Sequence, residues 1–424
     1  MTTDRRSILG AWRARYPVAF RALWAARTLS VGGDYIAQVA LVLLAARQHN
    51  PVLAVSALFL AQTVPWLLSP LAGALAERVA PRWFMVGSEL GQLVVVGVLA
   101  IVAPPFPVTL ALVAAMTLLA VLFLPASQSV LPGVVSADAL NEANALLRLG
   151  LNVSRALGPL VGAALLIASG VRGALLADAA SFLLSAALLS ALPAISPNAR
   201  AATPTSDEPS ENLWVSMRAG VAYITRTAIA RAVVIGLFLV TLFVALDNIG
   251  LIFLAQRTFG SATTGFGALL AGYGAGMIAA PLILLPLGRR LTTLRSLLVG
   301  VALMGVGTAV CGLAPTLWLA VAAQALVGVG NGFQNVANDS LLQQTTPRPL
   351  LGRVFGIAYS APYAALLITY ALGGALLNAT SPRVVFVIAG LGTLAMTGVI
   401  AWQAHTKATK SSTAAAPSRS GTAA

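Results

Sequence analysis

Cysteine and histidine are nearly missing: Cys311, His49 and His405 are all that the 424 residues hold. A single thiol can close no intrachain disulfide and build no multi-cysteine metal site. The two histidines fall in a loop and in the tail, too far apart to make a catalytic or metal pair, and no Walker-type phosphate loop occurs. Neither a metal nor a cofactor is expected, nor is ATP-driven transport within this chain, and nothing marks an enzyme. Charge is also scarce, at 9% of residues against 58% hydrophobic, with a mean hydropathy of +0.88. A soluble domain fills its core with far less apolar material than this.

What is abundant is long apolar runs, recurring from end to end at roughly 20 residues, the length that crosses a bilayer. Spans are read near 18–46, 52–75, 83–103, 107–127, 147–170 and 174–193, then near 230–255, 265–287, 296–313, 317–338, 354–377 and 383–404. The expected fold is all-α: twelve transmembrane helices in two pseudo-symmetric six-helix bundles. The divisions are an N-terminal arm 1–17, a first bundle 18–193, a linker 194–229, a second bundle 230–404 and a tail 405–424. Ser196–Asn212, rich in Pro, Ser and Thr, reads as flexible linker, and Leu213–Thr225 as an interfacial amphipathic helix. The tail is small and polar and reads as disordered. No cleavable signal peptide stands out at the start.

The formal net charge of +14 would suit nucleic acid if it were clustered. Instead Arg and Lys gather in alternate loops, Arg78, Arg82, Arg200, Arg289, Arg290, Arg348 and Lys407 among them, against Arg47, Arg172, Arg257 and Arg383 on the other side. The positive-inside rule then puts both termini in the cytoplasm. The partners expected are the bilayer, a small-molecule substrate and protons, with no nucleic acid, and the chain is expected to be a monomer.

The two halves repeat. Asp34 and Asp247 are 213 positions apart, as are Arg82 and Arg295, and Ser129 and Ser340 are 211 apart. A near-constant offset with the same topology is the mark of a parallel repeat, which places its substrate site between the halves near the midplane.

Asp34 lies mid-span in RTLSVGGDYIAQVALVLLA, where a carboxylate costs about 2.5–3.5 kcal/mol. Arg27, Ser30, Asp34 and Gln38 recur at steps of three and four, so a helix gathers them into one polar stripe. Such an acid marks an ion or substrate path, or it is a structural partner of Arg27 or of Arg155. Asp247 offers the same choice between coupling and a hydrogen-bonded place near the outer interface. Asp178, with Ser181 and Ser185, reads as structural near a span end, and Glu89 as a weak candidate beside Arg82.

Arg155 continues a stripe with Asn144, Arg148 and Asn152. Gln324, Asn331, Asn335 and Asn338 line one face of the tenth span, and Tyr359, Tyr363 and Tyr370 one face of the eleventh. With Gln38, Gln62 and Trp66 they suit an apolar cavity dotted with amides, hydroxyls and rings, which takes amphiphilic or cationic ligands. The alternative for each is helix–helix hydrogen bonding.

GALAERVAPR, beginning at Gly73, resembles the first cytoplasmic loop motif of the major facilitator superfamily, Gly-x-Leu-Ala-Asp-Arg-x-Gly-Arg-Arg, with Glu77, Ala80 and Pro81 in place of Asp, Gly and Arg. GGDYIAQVAL, LPGVVSADALNEANALL, LLADAASFLLSAALL and LGRVFG resemble its bacterial drug-efflux branch, typified by macrolide exporters and related to the enterobactin exporter. Ser154 to Ala163, SRALGPLVGA, resembles the fifth-span motif of the superfamily's antiporters, with its core Gly158, Pro159 and Gly162 intact.

The resemblance implies alternating-access export of small amphiphilic compounds in exchange for protons, as in multidrug resistance, with Asp34 the lead coupling carboxylate beside Asp247, Arg155 and Arg27. It makes Gly73, Glu77, Arg78 and Arg82 a conformational motif. Gly158 and Gly162 could meet Gly272 and Gly276 across the halves, or serve ordinary glycine packing. A siderophore, metabolite or lysolipid transporter of the same fold is the nearer alternative, and a non-transporting membrane sensor or scaffold the more distant one.

If alternate loops are basic because they stay inside, a reporter fused after Ala201 is active only when cytoplasmic. Activity there of a reporter that works only in the periplasm would overturn the six-plus-six map.

Overall fold

A computed structural model describes residues 16–69, 80–136, 139–192, 213–287, 291–347 and 350–405. Gly73, Glu77, Arg78, the linker 193–212, the arm up to residue 15 and the tail beyond residue 405 lie outside the described residues. The described residues are helical and contain no strand: α1 is Val18–Ala46, α2 Pro51–Thr63, α3 Pro81–Val102 and α4 Phe106–Val134. The helix Leu140–Ser190 is interrupted at Gly170, giving α5 (140–169) and α6 (171–190). Then follow α7 Leu213–Arg226, α8 Ala228–Phe253, α9 Ala262–Leu287, α10 Thr293–Leu313, α11 Leu317–Thr345, α12 Leu351–Ala379 and α13 Pro382–His405. A 3-10 turn, Val64–Leu68, prolongs α2 and a π turn, Leu254–Thr258, prolongs α8.

Ten of these segments are long and apolar enough to cross a bilayer. One of them folds back on itself at Gly170, whose φ of 69° and ψ of −170° are open to glycine but not to a residue with a Cβ, so it crosses twice. The twelfth crossing is α11, whose 29 residues are less apolar only because amides and Asp339 interrupt them. Large apolar side chains such as Val94, Ile101, Ile167, Leu282 and Leu372 face outward, as a lipid-facing surface requires and an aqueous one penalises. The 14-residue α7 is too short to span and packs on α8 and α12, where the Tyr223 hydroxyl donates to the Thr345 carbonyl.

α1 begins and α13 ends at the same side, here termed basal, and the opposite side is distal. At the distal side one continuous apolar core draws on both halves, including Leu41, Phe59 and Phe182 from the first and Ile249, Phe253 and Phe386 from the second. At the basal side there are two separate cores, one around Phe20, Met85, Leu131 and Leu189 and one around Val233, Leu297, Val301 and Val354. Shared packing at one end and separate packing at the other describes two bundles closed distally and parted basally.

Two antiparallel seams make the closure. In α5 against α9, a Cβ added at Gly267 would lie 2.7 Å from Ala163 Cβ and 3.0 Å from the Pro159 carbonyl, and one at Gly274 would collide with the Ala156 backbone. In α2 against α12, Phe59 stacks on Tyr370 at 5.0 Å, Trp66 on Tyr363 at 5.2 Å, and Gly374 admits the Ser56 hydroxyl. The 213-residue offset maps α2 onto α9 and α5 onto α12, so each seam is the counterpart of the other.

The glycines expected to form the seam do not. Gly158 and Gly162 pack inside the first bundle, where a Cβ would lie 2.6 Å from Tyr35 Cβ and 3.0 Å from the Ile36 backbone of α1. Gly272 and Gly276 pack inside the second bundle against Val321, Ala325 and Val329 of α11. α5 and α9 each carry two small-residue faces, and the halves meet on the Ala156, Pro159, Ala163 and Gly267, Gly274 faces.

On a Cys311→Ser background, cysteines at Ala163 and Gly267 should therefore crosslink the halves, because a relaxation of about 1 Å brings their Cβ atoms to disulfide separation. Cysteines at Gly162 and Gly272 should not. The reverse outcome would refute the assignment of faces. Gly158→Leu should lower the yield of folded protein, since it drives α5 off α1 within one bundle, rather than leave an inserted protein locked in one state.

Candidate functional site

The polar stripe of α1 enters the interior of the first bundle and meets acids from two other helices. Glu89 of α3 and Asp178 of α6 are 1% and 0% exposed, and both lie within electrostatic reach of Asp34. Asp178 packs on the backbone of α1 where Gly33 leaves room: a Cβ at residue 33 would strike its Oδ1 and the Ser181 hydroxyl. Ser181 lies 3.4 Å from Asp178 Oδ1 while donating to the Asp178 carbonyl at 2.8 Å. Ser30 and Ser185 line the same space beside Glu89, and Arg27 is the guanidinium that faces it. Glu89 Oε2, Asp178 Oδ2 and Ser185 Oγ have no hydrogen-bond partner.

Arg155 does not reach Asp34. Its Nε donates to the Tyr35 hydroxyl at 2.7 Å, with the guanidinium carbon 5.8 Å from the Tyr35 ring centroid, and Tyr273 of α9 faces it from the other half. The arginine thus stands at the α5–α9 seam, next to Ala156, and is tied to the residue that follows Asp34. α5 is also fixed to α1 through Ser154, whose hydroxyl donates to the Thr28 carbonyl at 2.7 Å.

In the second bundle Asp247 is 7% exposed and both of its carboxylate oxygens, Oδ1 and Oδ2, accept from one donor, Gln324 Nε2, at 3.0 and 2.9 Å, while Asn248 Nδ2 donates to the Tyr370 hydroxyl at 2.7 Å. Gln324, expected on the cavity wall, is buried at 1% as the clamp on Asp247. Among the other cavity candidates, Gln62 Nε2 donates to Gln38 Oε1 at 2.7 Å, half-buried between α1 and α2, and Asn335 Nδ2 donates to Asn331 Oδ1 at 2.9 Å along α11. Trp66 and Tyr363 are in the α2–α12 seam, and Tyr359 is open to the basal gap.

That gap holds a cavity of about 210 Å³, with Arg148 of α5 on one wall and Asn335, Asp339 and Tyr359 of α11 and α12 on the other. Asp339 accepts from the Tyr359 hydroxyl at 2.6 Å and stands 3.9 Å from Arg148 Nη2, joining the halves across the open end. Arg148 is 71% exposed, so the pair is worth about 0–1 kcal/mol and breaks readily when the bundles move. Arg82 turns inward to its own half, donating to the Ser190 carbonyl with its guanidinium 4.8 Å from the Trp83 ring centroid.

Asp339 and Tyr35 escaped the sequence reading. Asp339 follows directly on the amide stripe of α11, so the signal was present, whereas nothing local marks Tyr35 as the partner of an arginine 120 residues away.

The model of the family described as transmembrane secretion effector matches residues 14–418. A protein of Bacillus subtilis described as the uncharacterized MFS-type transporter YfiS is 27% identical over 390 residues, covering 89% of this chain and 91% of that one. The multidrug efflux pump Tap of Mycolicibacterium fortuitum is 25% identical over 390 residues, covering 89% and 93%. In fold the chain is similar to a POT family transporter solved in complex with a thioalcohol conjugated peptide, with a TM-score of 0.72 at 13% identity over 91% of this chain and 96% of that one. It is similar also to the POT family transporter PepTSo, with a TM-score of 0.73 at 12% identity over 93% and 99%. With twelve crossings in two bundles and a gap between them, the chain belongs to the transmembrane secretion effector family of major facilitator superfamily transporters.

Proposed function

We propose that this transporter exports small amphiphilic compounds, drugs among them, in exchange for protons, with Asp34 as the coupling carboxylate. The observation that carries the reading is the unbroken run of contacts from Asp34 through its neighbour Tyr35 to Arg155 and on to Ala156 in the α5–α9 seam. A change of charge at Asp34 alters what α1 presents to α5, and α5 carries one face of the contact that holds the halves closed distally. The basal gap, with amides, a phenol and one loose ion pair beside Leu237, Leu342 and Ala358, suits ligands that combine an apolar part with a polar or charged group. The name of the relative Tap supports efflux as the direction, and the charge bias of the loops supports the basal side as cytoplasmic.

In this cycle the basal-open state takes substrate from the cytoplasmic side. Breaking the distal seams while the basal ends of the two bundles draw together would expose the site outside, where Asp34 takes a proton as substrate leaves. Return to the basal-open state delivers the proton inward.

Asp34→Asn keeps shape and hydrogen-bonding capacity but does not titrate. In proteoliposomes loaded with an amphiphilic cation such as ethidium, an imposed pH gradient should accelerate efflux through the wild type and leave Asp34→Asn at its rate without a gradient, at matched protein levels. If Asp34→Asn responds as the wild type does, Asp34 is structural and Asp247 becomes the leading carboxylate.

A further inference from the structure

The interior of the first bundle holds more negative charge than positive. Asp34, Glu89 and Asp178 come from three helices, and the charged groups facing them are one another and Arg27. α2 and α4 carry no charged residue, and Arg155 of α5 is turned to Tyr35. Fully ionised, three carboxylates and one guanidinium would leave two uncompensated negative charges, with Glu89 and Asp178 buried and Asp34 and Arg27 only partly exposed, a cost that proteins avoid by protonation. Hydrogen bonding relieves only part of it: Ser30 and Ser185 stand beside Glu89 and Ser181 beside Asp178, but Glu89 Oε2 and Asp178 Oδ2 are unpartnered although their residues are 1% and 0% exposed. Ser185, 0% exposed, directs its hydroxyl into the same space beside Glu89. Among the described residues no group of three or more such side chains is arranged to hold a metal ion, so the ligand that fits unpartnered carboxylate oxygens here is the proton.

We propose that Asp34, Glu89 and Asp178 form one proton-sharing site in the core of the first bundle, with Arg27 as its fixed counter-charge. The neutral site holds two protons on three carboxyls. Giving up one of them to water leaves the site with one net negative charge, which the three carboxyls share. Asp178 is then a working member of the site, and Gly33 is what lets it lie against α1. The proposal rests on the coupling reading of Asp34 for its purpose, but its test needs no transport.

The infrared C=O stretch of protonated carboxyls, followed against pH in detergent-solubilised protein, reads the site directly. Glu89→Gln and Asp178→Asn should each remove part of that signal and move the midpoint of what remains by about one pH unit or more, the mark of strongly coupled acids. Gly33→Ala, which deletes no acid but displaces Asp178, should move the midpoint as well. Should Glu89→Gln not fold, Asp34→Asn and Asp178→Asn carry the same comparison. Remaining acids that titrate unchanged when either neighbour is removed would overturn a shared site. An unchanged signal in Asp178→Asn would show that residue to be charged and structural. Loss of gradient-driven efflux in Asp34→Asn together with independent titrations would leave the coupling reading standing and remove this one.

Discussion

The constraint on which the rest depends is the cost of charge away from water. A bilayer-spanning bundle places three carboxylates and one guanidinium among apolar side chains, where each uncompensated charge costs several kcal/mol. The bundle therefore has a strong preference among its protonation states, and any movement that wets or partners one carboxyl changes that preference. Nothing comparable gathers in the second bundle, where Asp247 stands with Gln324 rather than with other acids. The pseudo-symmetry of the backbone is thus not a symmetry of charge. The first bundle holds the excess, and the second supplies a wall against which α5 packs.

The seams turn a local change into a global one. With little hydrophobic drive between helices in lipid, close contact relies on small residues and shape. Ala156 and Ala163 are seven residues apart on α5, and Gly267 and Gly274 seven apart on α9, so both contacts lie on a single face of each helix. α5 also grips α1 through Gly158, Gly162, Ser154 and Arg155 on its other face. The helix that closes the halves is the same helix that reads the stripe containing Asp34. Pro159 sits on the face toward α9, where the missing N–H leaves one turn less firmly tied.

Span lengths, the repeat offset and the buried acids could all be read from the sequence, because hydrophobic period and bilayer thickness fix them. Which face meets which could not. α5 and α9 each present two ladders of small residues, and composition gives no ground for choosing between them. Errors of a few residues in span ends also shifted the apparent depth of acids. The sixth span, read from residue 174, left Asp178 near its end, but the helix resumes at residue 171 and buries Asp178 about a turn deeper. The tenth span, read to residue 338, stopped one residue before Asp339, whereas α11 continues to Thr345. Gln324 was legible as polar and intramembrane, but only the packing of α8 on α11 shows it clasping Asp247.

The central claim is that protonation in the first bundle governs whether the basal end stands open. Spin labels at Ala145 of α5 and Gln343 of α11, both exposed near the basal ends of their helices, report that opening as a distance across the halves. The distribution in the wild type should shift between a long and a short population as pH is changed, and Asp34→Asn should hold one distribution throughout. A wild-type distribution that ignores pH, or an Asp34→Asn protein that shifts as the wild type does, would contradict the account.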